Sequence, residues 1–502
     1  MGYLERISII RGDLAVIDYS LDMAWTAPRA TINITRNDSG IGIDASLLVD
    51  IGGRATPVGI RTRYRGQGRD FKVWVNFSEV RPEWIALEAP GLEFLSTGGF
   101  PVSGVMEFSL DAEANLTEIA FNLGAEAGQL HFDDWLTEPI EIVGAEVVGT
   151  YVNTNQSLRI KSASINLGGP KIDFDGVVEG FNSDPFIAAG ITVSNLPGDD
   201  IARYWPVALV PVVREWVVNN ITGGMLTKSR TSLHLKPGDL ALPRLPEAAV
   251  RTTLEIEGAT VNYYDPLPKV VGVDAFGTIT GRNLDMRLWG GVMDGLTLRE
   301  ARVKITDLGI IDDTSIQLEA QGSISDALAV LAHPLLDYPR KLGLDPGSVT
   351  GDVRTSMAFS FPITYRLTPE DVVITATSTL TNVNAAGLFD GFDIGGGPLR
   401  LTFDNTGLDL SGPVTLGVAS GEGSWRENFS DQEPFKRRFT FAGRLTDTQR
   451  LALGMPGSDY ITGPTDIAIE VSGQADGRLL WHVDAGLDDA RIGIPELYWE
   501  KL

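Results

Sequence analysis

Apolar side chains recur at every second position through most of this chain, and no other feature of the sequence constrains the fold as tightly. Ala30, Ile32 and Ile34 alternate with Thr31, Asn33 and Thr35, and Phe71, Val73, Val75 and Phe77 form a similar row. Met106, Phe108 and Leu110 are followed, after an Asp/Asn-containing turn, by Ile119, Phe121 and Leu123. Further on come Leu284/Met286/Leu288, Ala301/Val303/Ile305, Met357/Phe359/Phe361, Leu399/Leu401/Phe403, Leu408/Leu410 and Ile467/Ile469/Val471. In an extended strand successive side chains point to opposite faces, so each run has one apolar face and one wet face. Asp, Asn and Gly punctuate the runs at 36–40, 111–115, 153–156 and 166–169. The spacing predicts antiparallel strands in a long meander, roughly 30 to 40 of them. Leu254/Ile256 and Val261/Tyr263 read as one hairpin across Glu257–Thr260.

Three stretches break the period. In residues 195–224, Asp199 or Asp200 suits an N-cap, and Trp205, Leu209, Val212 and Trp216 recur at spacings of four, three and four on one helical stripe. Pro206 and Pro211 predict two short helices there rather than one, and Gly223-Gly224 ends the segment. At 323–342, Ser325 can cap a helix whose Leu328, Leu331 and Leu335 share a face before Pro339 interferes. A shorter candidate lies at 446–453. The expected organisation is a β segment over 1–194, an insert at 195–224, a second β segment over 225–322, an insert at 323–342, and a C-terminal β segment over 343–502 with its short helix. Inserts at intervals of roughly 110 to 130 residues make a weak internal periodicity. The proline-rich 236–247 is the best candidate break, or a long inter-strand loop.

Composition excludes several functions. The 502 residues exceed one ordinary compact core. With 41 basic and 66 acidic residues the net charge is −25, and no Lys/Arg cluster offers a track for phosphates. Nucleic acid is therefore not an expected partner, and any membrane contact must be local and apolar. There is no cysteine, which removes disulfides, thiolate metal sites and thiol catalysis together. The four histidines are widely separated and no HExxH occurs. Asp173-x-Asp175-Gly176 echoes a calcium loop without its third oxygen ligand or distal Glu, and reads as a β-turn. Gly40-Ile-Gly42-Ile-Asp-Ala45 fits G-x-G-x-x-A but leads into more alternation, not the helix a phosphate site requires. No nucleophile elbow, P-loop or S-x-x-K occurs. Acidic pairs such as Asp133-Asp134, Asp312-Asp313 and Asp488-Asp489 read as solvated turns, although a glycosidase-type pair stays open. The first six residues have no apolar core for a signal peptide, and the uncharged run Val372–Phe389 is studded with Thr and Asn and reads as strand and turn. Targeting and anchoring segments are expected to lie outside this sequence.

The run Y-W-P-x-x-L-x-P-x-x-R-x-W-V-x-x-N-I-x-G-G at Tyr204–Gly224 resembles the central region of the AsmA-like superfamily, in particular its large YhdP-type members. Gly290–Gly309, Gly322–Leu331, Gly343–Val353 and Trp425–Leu453 are similar to the same family, so the resemblance covers most of the chain. Alternation alone does not say whether the apolar face is sealed by a second sheet or left as a channel. The resemblance implies the channel: a mainly β, elongated, twisted, mostly antiparallel sheet curled into an open hydrophobic groove, with two or three short amphipathic helical inserts. It further implies a non-enzymatic protein without cofactor or metal, carrying phospholipid between the inner and outer membranes of a Gram-negative envelope. Its place would be the periplasm, anchored to the inner membrane in the full-length protein. The expected partners are phospholipid acyl chains and the two membranes. The expected lining is Val73, Val75 and Phe77; Ile119, Phe121 and Leu123; Leu284, Met286 and Leu288; and Met357, Phe359 and Phe361. Trp205, Leu209, Val212 and Trp216 are the expected contact of the first insert with a membrane or with the groove. The alternatives are a polysaccharide-acting β-solenoid enzyme and a structural envelope scaffold with a dry, packed interior.

Overall fold

The computed structural model describes residues 5–501 apart from 19–22, 38–39, 66–69, 89–92, 132–135, 137, 182–183, 208–209, 308–312, 335, 363–370, 390, 430–434, 456, 474–477 and 495–497. The fold is mainly β, with 33 strands and six α-helices among the described residues. The chain divides into two units, Met1–Ala259 with Phe276–Arg282, and Thr260–Ala275 with Asn283–Leu502.

In the first unit each long strand pairs antiparallel with the next, from Arg6–Asp18 through to Val250–Val261. Directly opposed residues in such a ladder share a face, so the register can be read across the sheet. One line runs Ile9–Ile32–Ala45–Ile60–Val75–Met106–Phe121–Gly149–Ile160–Gly176–Ala189–Leu233–Val250, with no polar side chain in it. The adjacent line on the other face runs Asn33–Asp44–Arg61–Trp74–Glu107. The alternation in the sequence is thus turned by register into one continuous apolar face and one charged face.

Glycine has a specific task on the apolar face. A Cβ added to Gly149 would lie 2.6 Å from both the Phe121 ring and the Arg159 carbonyl oxygen, so the Phe121 ring occupies space that only glycine leaves free. Gly149→Val is expected to destabilise the first unit by about 1–3 kcal/mol through overpacking, read as a lower urea midpoint with an unchanged slope.

The second unit repeats the plan. From Leu284–Met293 to Leu479–Gly486 the main strands are antiparallel neighbours. One face carries the line Leu298–Ala320–Thr355–Ser378–Leu401–Leu410–Trp425–Phe439–Val471–Trp481. Its two hydroxyls satisfy each other, Ser378 Oγ donating to Thr355 Oγ1 at 2.8 Å.

The helices are α1 (Pro82–Glu88), α2 (Ile201–Tyr204), α3 (Pro211–Asn220), α4 (Ile324–Leu331), α5 (Tyr338–Leu342) and α6 (Asp447–Ala452). Pro211 opens α3 at a position where its missing N–H costs nothing. Thr446 and Gln449 form a capping box on α6. In each unit every α-helix sits in connections at one end of that unit's sheet. There α1, α4 and the turn after α6 fold over the apolar face and each makes a small core. Trp84 and Ile85 of α1 join Val49, Ile51 and Val80; α4 joins Val349 and Ala385; Leu453 and Met455, just after α6, join Phe441, Leu445 and Ile467.

Several expectations are corrected. The Leu254–Tyr263 hairpin is absent, because Val250–Val261 is one strand in which Gly258 takes a positive φ of 67° and bends the chain without reversing it. Asp173 and Asp175 lie within strand Lys171–Glu179, not in a turn. The cap of α4 is Ser323, whose Oγ accepts from the Asp326 N–H at 3.0 Å, while Ser325 bonds to Ser323. Trp205 is not on a helix continuous with Trp216: it ends α2 in an extended conformation, and α3 begins at Pro211. Leu209 and Leu335 lie outside the described residues. Helix α1 has no counterpart among the expected elements; its signal is Pro82 ahead of Glu83, Trp84 and Ile85. The stretch 236–247 is a connection holding two single 3-10 turns, at Asp239–Ala241 and Glu247–Ala249.

Candidate functional site: an uncovered apolar face

The twelve residues expected to line a groove fall into two sets, one in each unit. In the first, Val75 opposes Met106, which opposes Phe121; Val73 opposes Phe108, which opposes Ile119; and Phe77 opposes Gly104, which opposes Leu123. In the second, Leu288 connects through Ala301 and Leu318 to Met357, Met286 through Val303 and Ile316 to Phe359, and Leu284 through Ile305 and Thr314 to Phe361. Each set is therefore a contiguous block on one face. All twelve are half-buried between neighbouring strands, and the small three-stranded sheet of the first unit packs its Ile140 and Ile142 on Ala125, Ile165 and Ile172, at the end of the face.

Surface area makes the same point. The chain exposes 29770 Å². A compact protein of this mass exposes about 18,000 Å², and two separate compact bodies of half the mass about 22,000 Å². Uncovered sheet faces contribute to that excess. Full burial on the apolar side is concentrated where an insert folds over its end, as at Val49, Ile51 and Val80, or at Leu445 and Ile467. Elsewhere Phe174, Ile191, Trp425 and Phe439 extend the half-buried apolar surface beyond the residues singled out from sequence; the same period-two signal marks them. Trp425 and Phe439 stack at 5.6 Å between ring centroids.

The first insert presents a different surface. Trp205 is half-buried, and its carbonyl accepts from Arg214 Nε at 2.9 Å. Trp216 on α3 is 48% exposed, with Val213 beside it at 38%. Val212 lies within α3.

The opposite faces carry most of the charges, although on the apolar side of the second unit the buried Glu427, next to Trp425, pairs with Arg437 at 3.0 Å. Arg61 pairs with Asp44 at 2.9 Å, and Glu107 accepts from Lys72 and from Trp74 Nε1. Arg302 engages Asp285 with two hydrogen bonds, at 2.9 and 2.6 Å. The hydrogen bond from Lys72 holds the Glu107 carboxyl below the usual carboxylate range, against a smaller opposing effect of burial. Hydrogen bonds from Arg302 and Lys171 do the same for Asp285 and Asp173. A carboxyl depressed in the folded state contributes stability above its unfolded pKa and loses it as the pH falls through the folded value. Melting temperature should therefore be flat from about pH 7 to about pH 5 and decline below about pH 4. The decline per pair should be small, since these groups are largely solvated. Thermal melts across that range check it.

The described side chains of the charged faces form mainly surface ion pairs. Two shallow depressions, about 290 and 510 Å³, mix polar and apolar lining: Lys161, Asp173 and Asp175 with Val148 and Phe174 in one, Glu300, Arg302 and Glu319 with Leu318 and Met357 in the other. Among the described residues no group of three or more His, Asp or Glu is placed to hold a metal ion. No helix among them is long and apolar enough to cross a membrane.

Two comparisons with known proteins return nothing: no curated protein matches the chain, and no solved structure does. A third is informative, for residues 54–497 match the model of the family described as YhdP protein, a stretch that includes most of both apolar faces. The chain belongs to the YhdP family, and that membership points to an AsmA-like role in lipid transport.

Proposed function

We propose that the apolar faces of the two units bind phospholipid acyl chains and carry them between the inner and outer membranes of a Gram-negative envelope, in the periplasm and without catalysing a reaction. The observation that supports this reading most directly is the face itself. Thirteen opposed positions across the first unit hold no polar side chain, and of these only Gly149, under the Phe121 ring, is fully buried. Val73, Val75, Phe77, Ile119, Phe121 and Leu123 line the first face, and Leu284, Met286, Leu288, Met357, Phe359 and Phe361 the second.

The energetics suit carriage rather than capture. At about 0.8 kcal/mol per buried CH₂, a 16-carbon chain gains on the order of 12 kcal/mol by leaving water. A bilayer offers nearly the same gain, so exchange between membrane and protein is close to balanced, and hydrocarbon can move along a predominantly apolar surface. The headgroup stays at the margin of the face, in water.

The test is direct. Organic extraction of the purified chain, or native mass spectrometry, should recover diacyl phospholipid, and a photoreactive residue at position 121 should crosslink it. A chain that purifies free of lipid and takes none from vesicles rules the reading out.

A further inference from the structure

One insert of the second unit crosses the apolar face from margin to margin. Its first helix, α4, sets Ile324 and Leu328 against Val349, Val353 and Leu380, at the end of the sheet from which the insert leaves. Its second, α5, brings Tyr338 to the other margin. The Tyr338 ring meets Phe403 edge-on at 5.8 Å between centroids and lies 6.2 Å from Phe429, and those two rings are 5.6 Å apart. Phe403 lies on the apolar face, opposed to Ala376 and Leu408. It stands at the far end of its strand from Leu399, the partner of Leu380 beside α4. Beneath the crossing Leu399 is 2% exposed, Ser378 5% and Leu408 6%, while Ala376, Leu401 and Phe403 are half-buried. Met357 and Phe359, a few strands earlier, remain half-buried.

Rings at these separations are in van der Waals contact, and a hydrocarbon chain between them would need roughly 4 Å more. At the Tyr338 end Pro339 is fully buried, and the polar side chains of α5 bond locally. Arg340 bonds to Asp337 and Lys341 Nζ to the Leu336 carbonyl, both within the insert and not to the sheet. Asp337 and Gly343 flank α5 with positive φ of 53° and 77°, the kind of backbone at which a short helix can pivot.

We propose that this insert is a latch across the lipid path of the second unit: Tyr338 closed on Phe403 and Phe429 blocks the face, and α5 lifts for a two-chain phospholipid to pass. The proposal rests on the lipid-path reading given above. Its test uses the full chain, fluorescent diacyl phospholipid in donor vesicles and unlabelled acceptor vesicles.

Tyr338→Ala should raise the transfer rate about tenfold, as expected for loss of two ring contacts. Tyr338→Phe, which keeps the ring, should stay at the wild-type rate. p-Benzoylphenylalanine at position 338, irradiated so that it welds α5 to the floor, should stop transfer. The same photoreactive residue placed singly at Met286 or at Phe439, on the two sides of the crossing, reports whether lipid occupies the face. Lipid captured at both sites with transfer unchanged by welding overturns the latch and leaves the lipid path standing. No lipid captured at either site overturns the lipid path and the latch with it. A Tyr338→Ala chain that melts as wild type and transfers at the wild-type rate also overturns the latch.

Discussion

Phe121→Asp leaves the chain folded and reduces its phospholipid content at least tenfold. The two halves of that result have separate causes. Phe121 is half-buried, so a carboxylate there keeps much of its hydration and costs the fold little. Were the face a closed core, the same change would bury an unpaired charge and cost several kcal/mol, enough to unfold the unit. Hydrocarbon responds in the opposite way. The introduced carboxylate would stand beside Met106 and Gly149, in the middle of the apolar line, and an acyl chain could not cover it without stripping its water. Asn122→Asp supplies the control: the charge is the same and one residue away, but it points to the exposed, charged face, and lipid content should not change. Lipid analysis of the purified variants together with circular-dichroism melts reads both halves. Retained lipid with a retained fold would mean that acyl chains do not use this face, and a collapsed fold would mean that something seals it.

How much of this was legible in the sequence depends on which physical interaction decides each feature. Strand identity was legible because period two is local: Ile119, Phe121 and Leu123 declare a face without reference to any other strand. The turn at 111–115 was legible because Asp111 hydrogen-bonds its own turn, its Oδ1 accepting from the Asn115 N–H at 2.8 Å, and Asn153 closes 153–156 through its backbone carbonyl while its side chain donates to the Leu116 carbonyl. Whether an apolar face is covered is not local, since a sandwich and an open trough are written with the same alternation. Here the answer came from the ladders and the half-buried state of the face. The inserts were partly legible. Thr446 with Gln449 is a complete capping signal, and Pro206 and Pro211 mark the two short helices that α2 and α3 form, whereas the single stripe through Trp205 and Trp216 does not survive the break between them. The crossing by Tyr338 could not be foreseen, because Tyr338, Phe403 and Phe429 are distant in sequence and meet only once the strands between them are paired.

The largest loss of stability should come from Arg450, a residue that touches no part of the proposed lipid path. It is 2% exposed, and its guanidinium makes five hydrogen bonds. Nη1 donates to the Leu445 carbonyl at 3.2 Å, the Gly463 carbonyl at 2.8 Å and Thr465 Oγ1 at 2.9 Å. Nη2 donates to Asp447 Oδ1 at 2.7 Å and the Ile461 carbonyl at 2.9 Å. One side chain thus ties α6 to the strand ends on both sides of its insert, where Leu445 and Thr465 have no exposed surface at all. Arg450→Ala removes every donor at once and leaves the carbonyls of Leu445, Ile461 and Gly463 to be satisfied by water entering a packed site. Breaking such a buried charged network costs about 3–5 kcal/mol. Arg450→Lys should recover only part of it, because an ammonium cannot reproduce the planar fork. The damage should stay local to the second unit. Amide exchange should accelerate in α6 and in Thr465–Gly473 by the factor of several hundred or more that a loss of about 4 kcal/mol implies, while the strands around Phe121 exchange as before. Because this insert also roofs Phe441 and Ile469, lipid content of the second face should fall with it and that of the first should not. Exchange rates unchanged in α6 would show that the guanidinium contributes little to holding the insert closed.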